Sequence, residues 1–292
     1  MQTLHQLDAD AWTGPFATAT CEAAVAALER GGVVYLPQLA FVLEERERSL
    51  FSPGLSDGRA KNITLDPAGG ALQGGELDDA TGAVLRGMLQ RFSDAAVQLT
   101  GALLPNYAGR IERARATYRP VEIAGRSYSP TKDDKLLHVD AFPSRPARGR
   151  RILRLFANIN PAGQSRLWHV GEDFEVYAKR FLPRLRAQYP FEAAALALAG
   201  ITKGRRSAYD TCMLGLHDTG KRDAAYQKDA PFAAVAFPPG STWLCFTDQV
   251  LHAALQGQFA LEQTFHLDVA AMAEPARSPL KVLERLTGRA LV

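Results

Sequence analysis

Leu136-Leu137-His138-Val139-Asp140 sets two metal-capable side chains two positions apart inside an apolar run. Leu136–Phe142 reads as a strand, and in a strand the side chains at i and i+2 point to the same face. His138 and Asp140 therefore project together, an imidazole nitrogen beside a carboxylate oxygen. Such a pair fills two adjacent corners of an octahedral ion and requires a third ligand from elsewhere in the chain.

The chain has six histidines, His5, His138, His169, His217, His252 and His266. His252 is the candidate for the third ligand. It ends the stretch Pro239-Gly240-Ser241-Thr242-Trp243-Leu244-Cys245-Phe246-Thr247-Asp248-Gln249-Val250-Leu251-His252. A Pro-Gly turn, an apolar strand and a short polar turn deliver its imidazole to the start of the next strand. His138, Asp140 and His252 would then make a facial triad of two histidines and one carboxylate, the donor set of non-haem Fe(II) oxygenases. A lone His-x-Asp is commonly a surface pair; the turn, strand and distal histidine together narrow the reading. His169 and His217 read as satisfied structural histidines.

Outward from these motifs, Ile111–Arg119 alternates, with Arg113, Arg115, Thr117 and Arg119 on one face and Ala114, Ala116 and Tyr118 on the other. Arg151–Ile159, Arg166–Val170, Phe232–Phe237, Ser241–Phe246, His252–Leu255 and Phe259–Ala270 are further β runs. Many short strands at close spacing predict a sandwich or jelly roll. Phe174–Phe181, Phe191–Ala199 and Tyr209–His217 read as helices. Before residue 111 the texture is mainly helical: Cys21–Arg30 is stopped by Gly31-Gly32, and Phe41–Phe51 is helical in character. Leu77–Leu104 repeats apolar residues at the 3.6 period (Leu85, Met88, Leu89, Phe92, Leu99, Leu103) and ends at Pro105. Val33–Leu36 is a short strand between the first two.

The expected class is α+β, with N-terminal helices packed on one side of a β core. A helical support region covers 1–110, the β core 111–275, and a basic amphipathic helix 276–292. In that tail Ser278 can cap and Pro279 can start the helix. Leu280, Leu283 and Leu286 share one side; Lys281, Arg285 and Arg289 share another. The leucines suit docking, and the basic side suits anionic lipid headgroups.

With 292 residues, 47% of them hydrophobic and 22% charged, the chain can bury a full core. The formal charge of +3, from 34 basic and 31 acidic residues, is too mild for a dedicated nucleic-acid binder, and no nucleic-acid partner is expected. Three scattered cysteines without a CxxC exclude a disulfide scaffold and point to a reducing, cytoplasmic setting. No apolar window of membrane-spanning length is present. Phosphate-loop, nucleophile-elbow and zinc-ribbon spacings are absent from the sequence.

Four blocks extend the likeness beyond the triad: LLHVDAFPSRP (136–146), RRILRLFANINP (150–161), WHVGEDFE (168–175) and FTDQVLHAALQGQFALEQTFHLD (246–268). Together they resemble the Kdo hydroxylase family of Fe(II)/2-oxoglutarate-dependent dioxygenases, over roughly residues 111 to 270. Kdo is the 3-deoxy-D-manno-oct-2-ulosonic acid of lipopolysaccharide. The resemblance implies a double-stranded β-helix in which His138, Asp140 and His252 hold Fe(II), with 2-oxoglutarate and O2 as co-substrates. It also implies hydroxylation at C3 of Kdo on a lipid A-linked acceptor, giving D-glycero-D-talo-oct-2-ulosonic acid, succinate and CO2. The acceptor would be met at the anionic inner-membrane surface, making the protein cytoplasmic and peripheral. One departure stands out: where many members of the superfamily carry Arg or Lys after the distal histidine, this chain has Gln263. Gln263 can hydrogen-bond the distal carboxylate of 2-oxoglutarate without neutralising it. Arg154, on the strand after His-x-Asp, is the candidate for the charge, with pairing to a structural acid the alternative. Arg115, Arg119, Arg126 and Arg148 are candidates for an anionic substrate. The competing readings are an oxygenase of another small anionic substrate and a non-catalytic, cupin-like metal- or sugar-binding protein.

Overall fold

The computed structural model describes residues 4–57, 60–186 and 191–292. The first 110 hold β1 (Leu4–Gln6), α1 (Thr18–Glu29), β2 (Val33–Leu36), β3 (Ile63–Leu65) and α2 (Asp79–Leu103). Next come β4 (Ile111–Arg119), β5 (Arg151–Asn158), β6 (Arg166–Val170), α3 (Phe174–Phe181), α4 (Glu192–Leu198), α5 (Ala208–Arg222) and α6 (Ala224–Asp229). The chain closes with β7 (Ala233–Phe237), β8 (Thr242–Phe246), β9 (His252–Gln256), β10 (Ala260–Leu267) and α7 (Pro279–Thr287).

The larger of two sheets has the order β1-β2-β8-β5-β10-β4-β3; the smaller has β7-β6-β9. All pairings are antiparallel except β1 with β2. Side-chain alternation on β5 and β8 explains the layering. Leu153, Leu155, Leu244 and Phe246 enter a core with Leu28 of α1 and Leu89 and Phe92 of α2. Phe156, Trp243 and Cys245 point the other way, into a second core with Trp168 and Val170 of β6 and Phe237 of β7. Trp243 stacks on Phe237 at 4.0 Å and on Phe156 at 5.2 Å between ring centroids. A strand covered on both faces should be apolar throughout, which makes Arg154 the outlier of β5.

Three expectations are corrected. Leu136–Phe142 is not a full strand: His138 makes a single bridge to His252, through backbone bonds of 3.0 and 2.9 Å. The other edge of this segment is held by Gln227 of α6, whose side chain accepts from Leu137 N at 2.8 Å and donates to Leu137 O at 3.0 Å. The β4 alternation is broken by a bulge, since Ala116 pairs with Gln263 but Arg113 with Phe265. One extra residue reverses the faces beyond it. Arg113 therefore turns to Asp94 of α2, at 2.7 Å, away from Arg115, Thr117 and Arg119. The boundary at residue 110 cuts through a sheet, because β2 pairs with β8 and β3 with β4. As the leucine spacing implies, α7 docks through buried Leu280, Val282 and Leu283, while Lys281 pairs with Glu284 (2.7 Å) and Arg285 with Glu175 (2.6 Å). Both basic side chains of α7 are thus engaged with acids, and Arg289 lies beyond its end. Among the described residues no helix is long and apolar enough to cross a membrane.

Candidate active site

His138, Asp140 and His252 meet between the two sheets. The ligand atoms they offer all lie within 4.8 Å of one another, and His138 Nε2 is 3.8 Å from Asp140 Oδ1. The local chain makes this inevitable. The His138–His252 bridge sets the two rings side by side, with centroids 4.6 Å apart, and Asp140 N donates to Thr247 O at 2.8 Å, tying the carboxylate to the turn before β9. His138 Nδ1 lies 2.7 Å from Leu136 O, and His252 Nδ1 lies 2.9 Å from Val250 O. A carbonyl can only accept, so each Nδ1 carries the proton and each Nε2 presents its lone pair inward. Trp168 stacks on His252 at 5.1 Å and fixes the ring plane from behind.

Electrostatics suits the same purpose. Burial, then the neighbouring imidazole of His252, pushes the His138 pKa well below the ordinary histidine value, and burial lowers His252 also. Both rings are held neutral, the state in which imidazole binds a metal. Burial alone would raise Asp140, but the Arg154 guanidinium and both imidazoles outweigh it and hold the carboxyl well below the usual carboxylate range. Asp140 Oδ2 meets the Arg154 guanidinium at 3.2 Å, and Oδ1 lies on the His138 side. Two neutral nitrogens and an anionic oxygen make a donor set that fits a divalent first-row ion such as Fe(II).

The triad lies in a cavity of about 390 Å³. Its buried wall holds Phe156, Trp168, Arg119, Arg154, Arg166 and Glu262; towards the surface stand Lys61, Arg115, Phe142, Ser144 and Arg145. Of the sequence candidates, Arg115, Arg119 and Arg154 are in the cavity. Arg154 sits 3.2 Å from Asp140 and 3.4 Å from Glu262, so it meets acids of this chain, the alternative left open for it. Gln263 is not in the cavity. It is fully buried on the opposite face of β10, accepting from Ser93 of α2 and donating to Ala114 O at 3.0 Å. Arg126 and Arg148 do not line the cavity either; Arg148 borders a separate hollow with Arg205 and Arg206. His217, read as merely structural, places its ring edge-on against His138 at 5.4 Å. Arg166 and Trp168 were missed as site residues, although the alternation of Arg166, Trp168 and Val170 along β6 puts all three on one inward face. His266, one residue out of phase with Gln263 and Phe265, faces the cavity.

A model of the family described as 3-deoxy-D-manno-oct-2-ulosonic acid (Kdo) hydroxylase matches residues 11–290. Among curated proteins no match is found. Crystal structures of the Kdo hydroxylase KdoO, a non-haem Fe(II) α-ketoglutarate-dependent dioxygenase, align with the whole chain. The complex with α-ketoglutarate and Fe(III) is 46% identical with a TM-score of 0.96. The cobalt(II) complex is 47% identical at 0.97, and the complex with succinate and Fe(III) 46% at 0.96. Each alignment covers 100% of this chain and 98% of the other. With a family match over nearly every residue and a likeness of this extent around an intact His-Asp-His cluster, the chain belongs to the Kdo hydroxylase family.

Proposed function

We propose that this protein is a Fe(II)- and 2-oxoglutarate-dependent dioxygenase that hydroxylates C3 of Kdo in a lipid A-linked acceptor, releasing succinate and CO2. The observation that carries the reading is the convergence of two tautomer-fixed imidazoles and one anionic carboxylate in a cation-lined cavity. The strand order supports it. β4, β5, β8 and β10 lie in one sheet and the 138 segment, β6, β7 and β9 in the other, the alternation of a double-stranded β-helix.

His138, Asp140 and His252 would hold the iron. Iron bound there supplies the oxidising power to hydroxylate an aliphatic C–H with O2, coupled to loss of CO2 from 2-oxoglutarate. The protein's own work is geometric and electrostatic. Val250 O and Leu136 O keep the imidazole protons on Nδ1, and Arg154 compensates the charge of Asp140. Arg115 and Arg145, at the open end, offer bidentate donors to an anionic sugar acid and orient its ring over the triad. With only three protein ligands, an ion held there would keep positions open for the co-substrates.

Release of CO2 from carboxyl-labelled 2-oxoglutarate should require Fe(II) and vanish in His138→Ala and His252→Ala. Mass spectrometry of lipopolysaccharide from cells with and without the protein should show one added oxygen on Kdo. Unchanged lipopolysaccharide would remove the substrate assignment and leave the oxygenase chemistry standing.

A further inference from the structure

Apolar side chains left in water gather around α4. Leu198 is 92% exposed, Phe191 83% and Ile201 59%; the first two are the most exposed large apolar side chains among the described residues. Phe191 precedes α4, Leu198 ends it and Ile201 follows it. Phe191 and Leu198 are seven positions apart, two helical turns, and so share one side of the helix. Ala195, Ala199 and Gly200 are exposed as well, while Ala193 and Thr202 are buried and hold the segment down. Single exposed apolar residues are ordinary, but a group of them marks a contact surface. The segment is tied to the mouth of the triad cavity. Lys203 N donates to Ser144 O at 2.8 Å and Arg206 donates to Pro143 O, and Pro143, Ser144 and Arg145 line that mouth.

Cations stand beside the apolar group. Arg148, Arg205 and Arg206 border a hollow of about 850 Å³ together with Phe191, and Lys203, Arg205 and Arg148 are exposed. Gly204, at φ +103°, leaves to the Arg148 guanidinium the space that a Cβ would take. Among the described residues no Asp or Glu side chain lies within ion-pair distance of Arg148, Lys203, Arg205 or Arg206, whereas Lys281 and Arg285 of α7 are both paired. From 191 to 206 the sequence has one acid, Glu192.

We infer that α4 and the loop from 199 to 206 form a docking face for an anionic lipid bilayer, with Phe191, Leu198 and Ile201 entering the acyl boundary and Arg148, Lys203, Arg205 and Arg206 meeting lipid phosphates. The inference rests on the proposed function and gives it an orientation. A sugar acid linked to lipid A stays close to the headgroups, so the cavity has to open towards the bilayer, and the surface next to its mouth is the one that must touch. The C-terminal helix does not offer such a face, since its leucines are buried and its cations are engaged. Charge complementarity separates a bilayer from a protein partner, because cations with no interspersed acid match a surface of uniform negative sign.

The test is co-sedimentation of the full chain with vesicles of phosphatidylcholine, with and without phosphatidylglycerol; it requires neither metal nor turnover. Wild type should bind the phosphatidylglycerol vesicles, and less so as salt is raised. The double variant Leu198→Ser with Ile201→Ser should partition about tenfold less or lower. Lys203→Ser with Arg205→Ser should lose about tenfold or more on phosphatidylglycerol vesicles. All four side chains are exposed or unpaired, so both variants should melt with wild type, which separates lost docking from lost folding. Lys281→Ser with Arg285→Ser should bind within about twofold of wild type. Wild type that ignores both kinds of vesicle, patch variants that bind as wild type does, or loss of binding through α7 instead would overturn the inference. So would unchanged vesicle binding in Leu198→Ser with Ile201→Ser accompanied by loss of a dimer in light scattering, which would make the patch an interface between copies. Vesicle binding that follows the patch while lipopolysaccharide gains no oxygen would remove the substrate reading and leave the docking face. Lost vesicle binding with Kdo still hydroxylated would do the reverse.

Discussion

Arg154 occupies an otherwise apolar strand because two carboxylates need it. Glu262 is buried and Asp140 largely so, and the guanidinium lies within 3.4 Å of each. The metal ligand is therefore oriented by a cation that never touches the metal. Changing such a partner typically costs 10–100-fold in metal affinity, so Arg154→Gln should weaken Co(II) binding by about that factor in a competition titration with a chromogenic chelator. Affinity equal to wild type would mean that Asp140 is positioned by Thr247 alone. At this scale the triad was legible in the sequence, because i, i+2 spacing and a histidine after a turn survive any reasonable fold. Gln263 and Arg113 were misplaced for one reason: a single bulged residue in β4 or a one-residue error of phase in β10 reverses a face, and nothing local in the sequence marks either. Arg166 was legible in principle, as an arginine two residues before Trp168 and four before Val170 on one strand face.

At the scale of elements, the segment carrying His138 and Asp140 is a strand that has delegated half its ladder to a side chain. Gln227 of α6 supplies both bonds to Leu137. An unpaired buried backbone group costs about 1–3 kcal/mol, so Gln227→Ala should lower stability by about 2 kcal/mol or more in urea denaturation and weaken metal binding in parallel. Metal affinity untouched by a destabilised variant would show that His138 is held from the β9 side alone. Glu122 does similar work for the β9–β10 turn, accepting from Gly257 N at 2.7 Å, Ile123 N at 2.8 Å and Ala124 N at 3.0 Å. Burial would raise its pKa, but the three amide bonds win and lower it. A depressed carboxylate pKa gives stability that is complete above the unfolded value, near 4.3, and disappears as pH falls through the folded value. Glu122→Gln should accordingly melt below wild type at pH 7, by about 1 kcal/mol, and the two curves should converge below about pH 4. A gap that persists in acid would assign the effect to packing. Long amphipathic α2 and the doubly covered β5 could be read from periodicity, whereas β1 and β3, three residues each, and α6, six residues, are too short to carry a period.

Over the whole molecule, the helical N-terminal region and the β core are one structure, because β1 and β2 complete one end of the larger sheet, β3 is its other edge, and α1 and α2 cover its outer face. That face is fully packed and needs no ligand. The smaller sheet is different. It has three strands, its free edge is the 138 segment joined by a single bridge, and the cavity behind it holds several buried charges that only partly cancel. Ligands should therefore stabilise this protein more than its size suggests. Anything that binds the folded chain and not the unfolded one adds RT ln(1 + [L]/Kd), about 2.7 kcal/mol at one hundred times Kd. For a chain of this length each kcal/mol is worth about 2–4 °C in Tm, so saturating Mn(II) with 2-oxoglutarate should raise the melting temperature by about 5–10 °C. Metal must come first, because the keto acid would be held in part by the ion that His138, Asp140 and His252 would bind. 2-Oxoglutarate with EDTA should give no shift, metal alone a partial one, and the pair more than the sum of the separate effects. His252→Ala should abolish the shift while retaining the hydrophobic layers that α1, α2 and β5 build without it. A full shift in His252→Ala, or one produced by 2-oxoglutarate in EDTA, would place the stabilising site outside the triad.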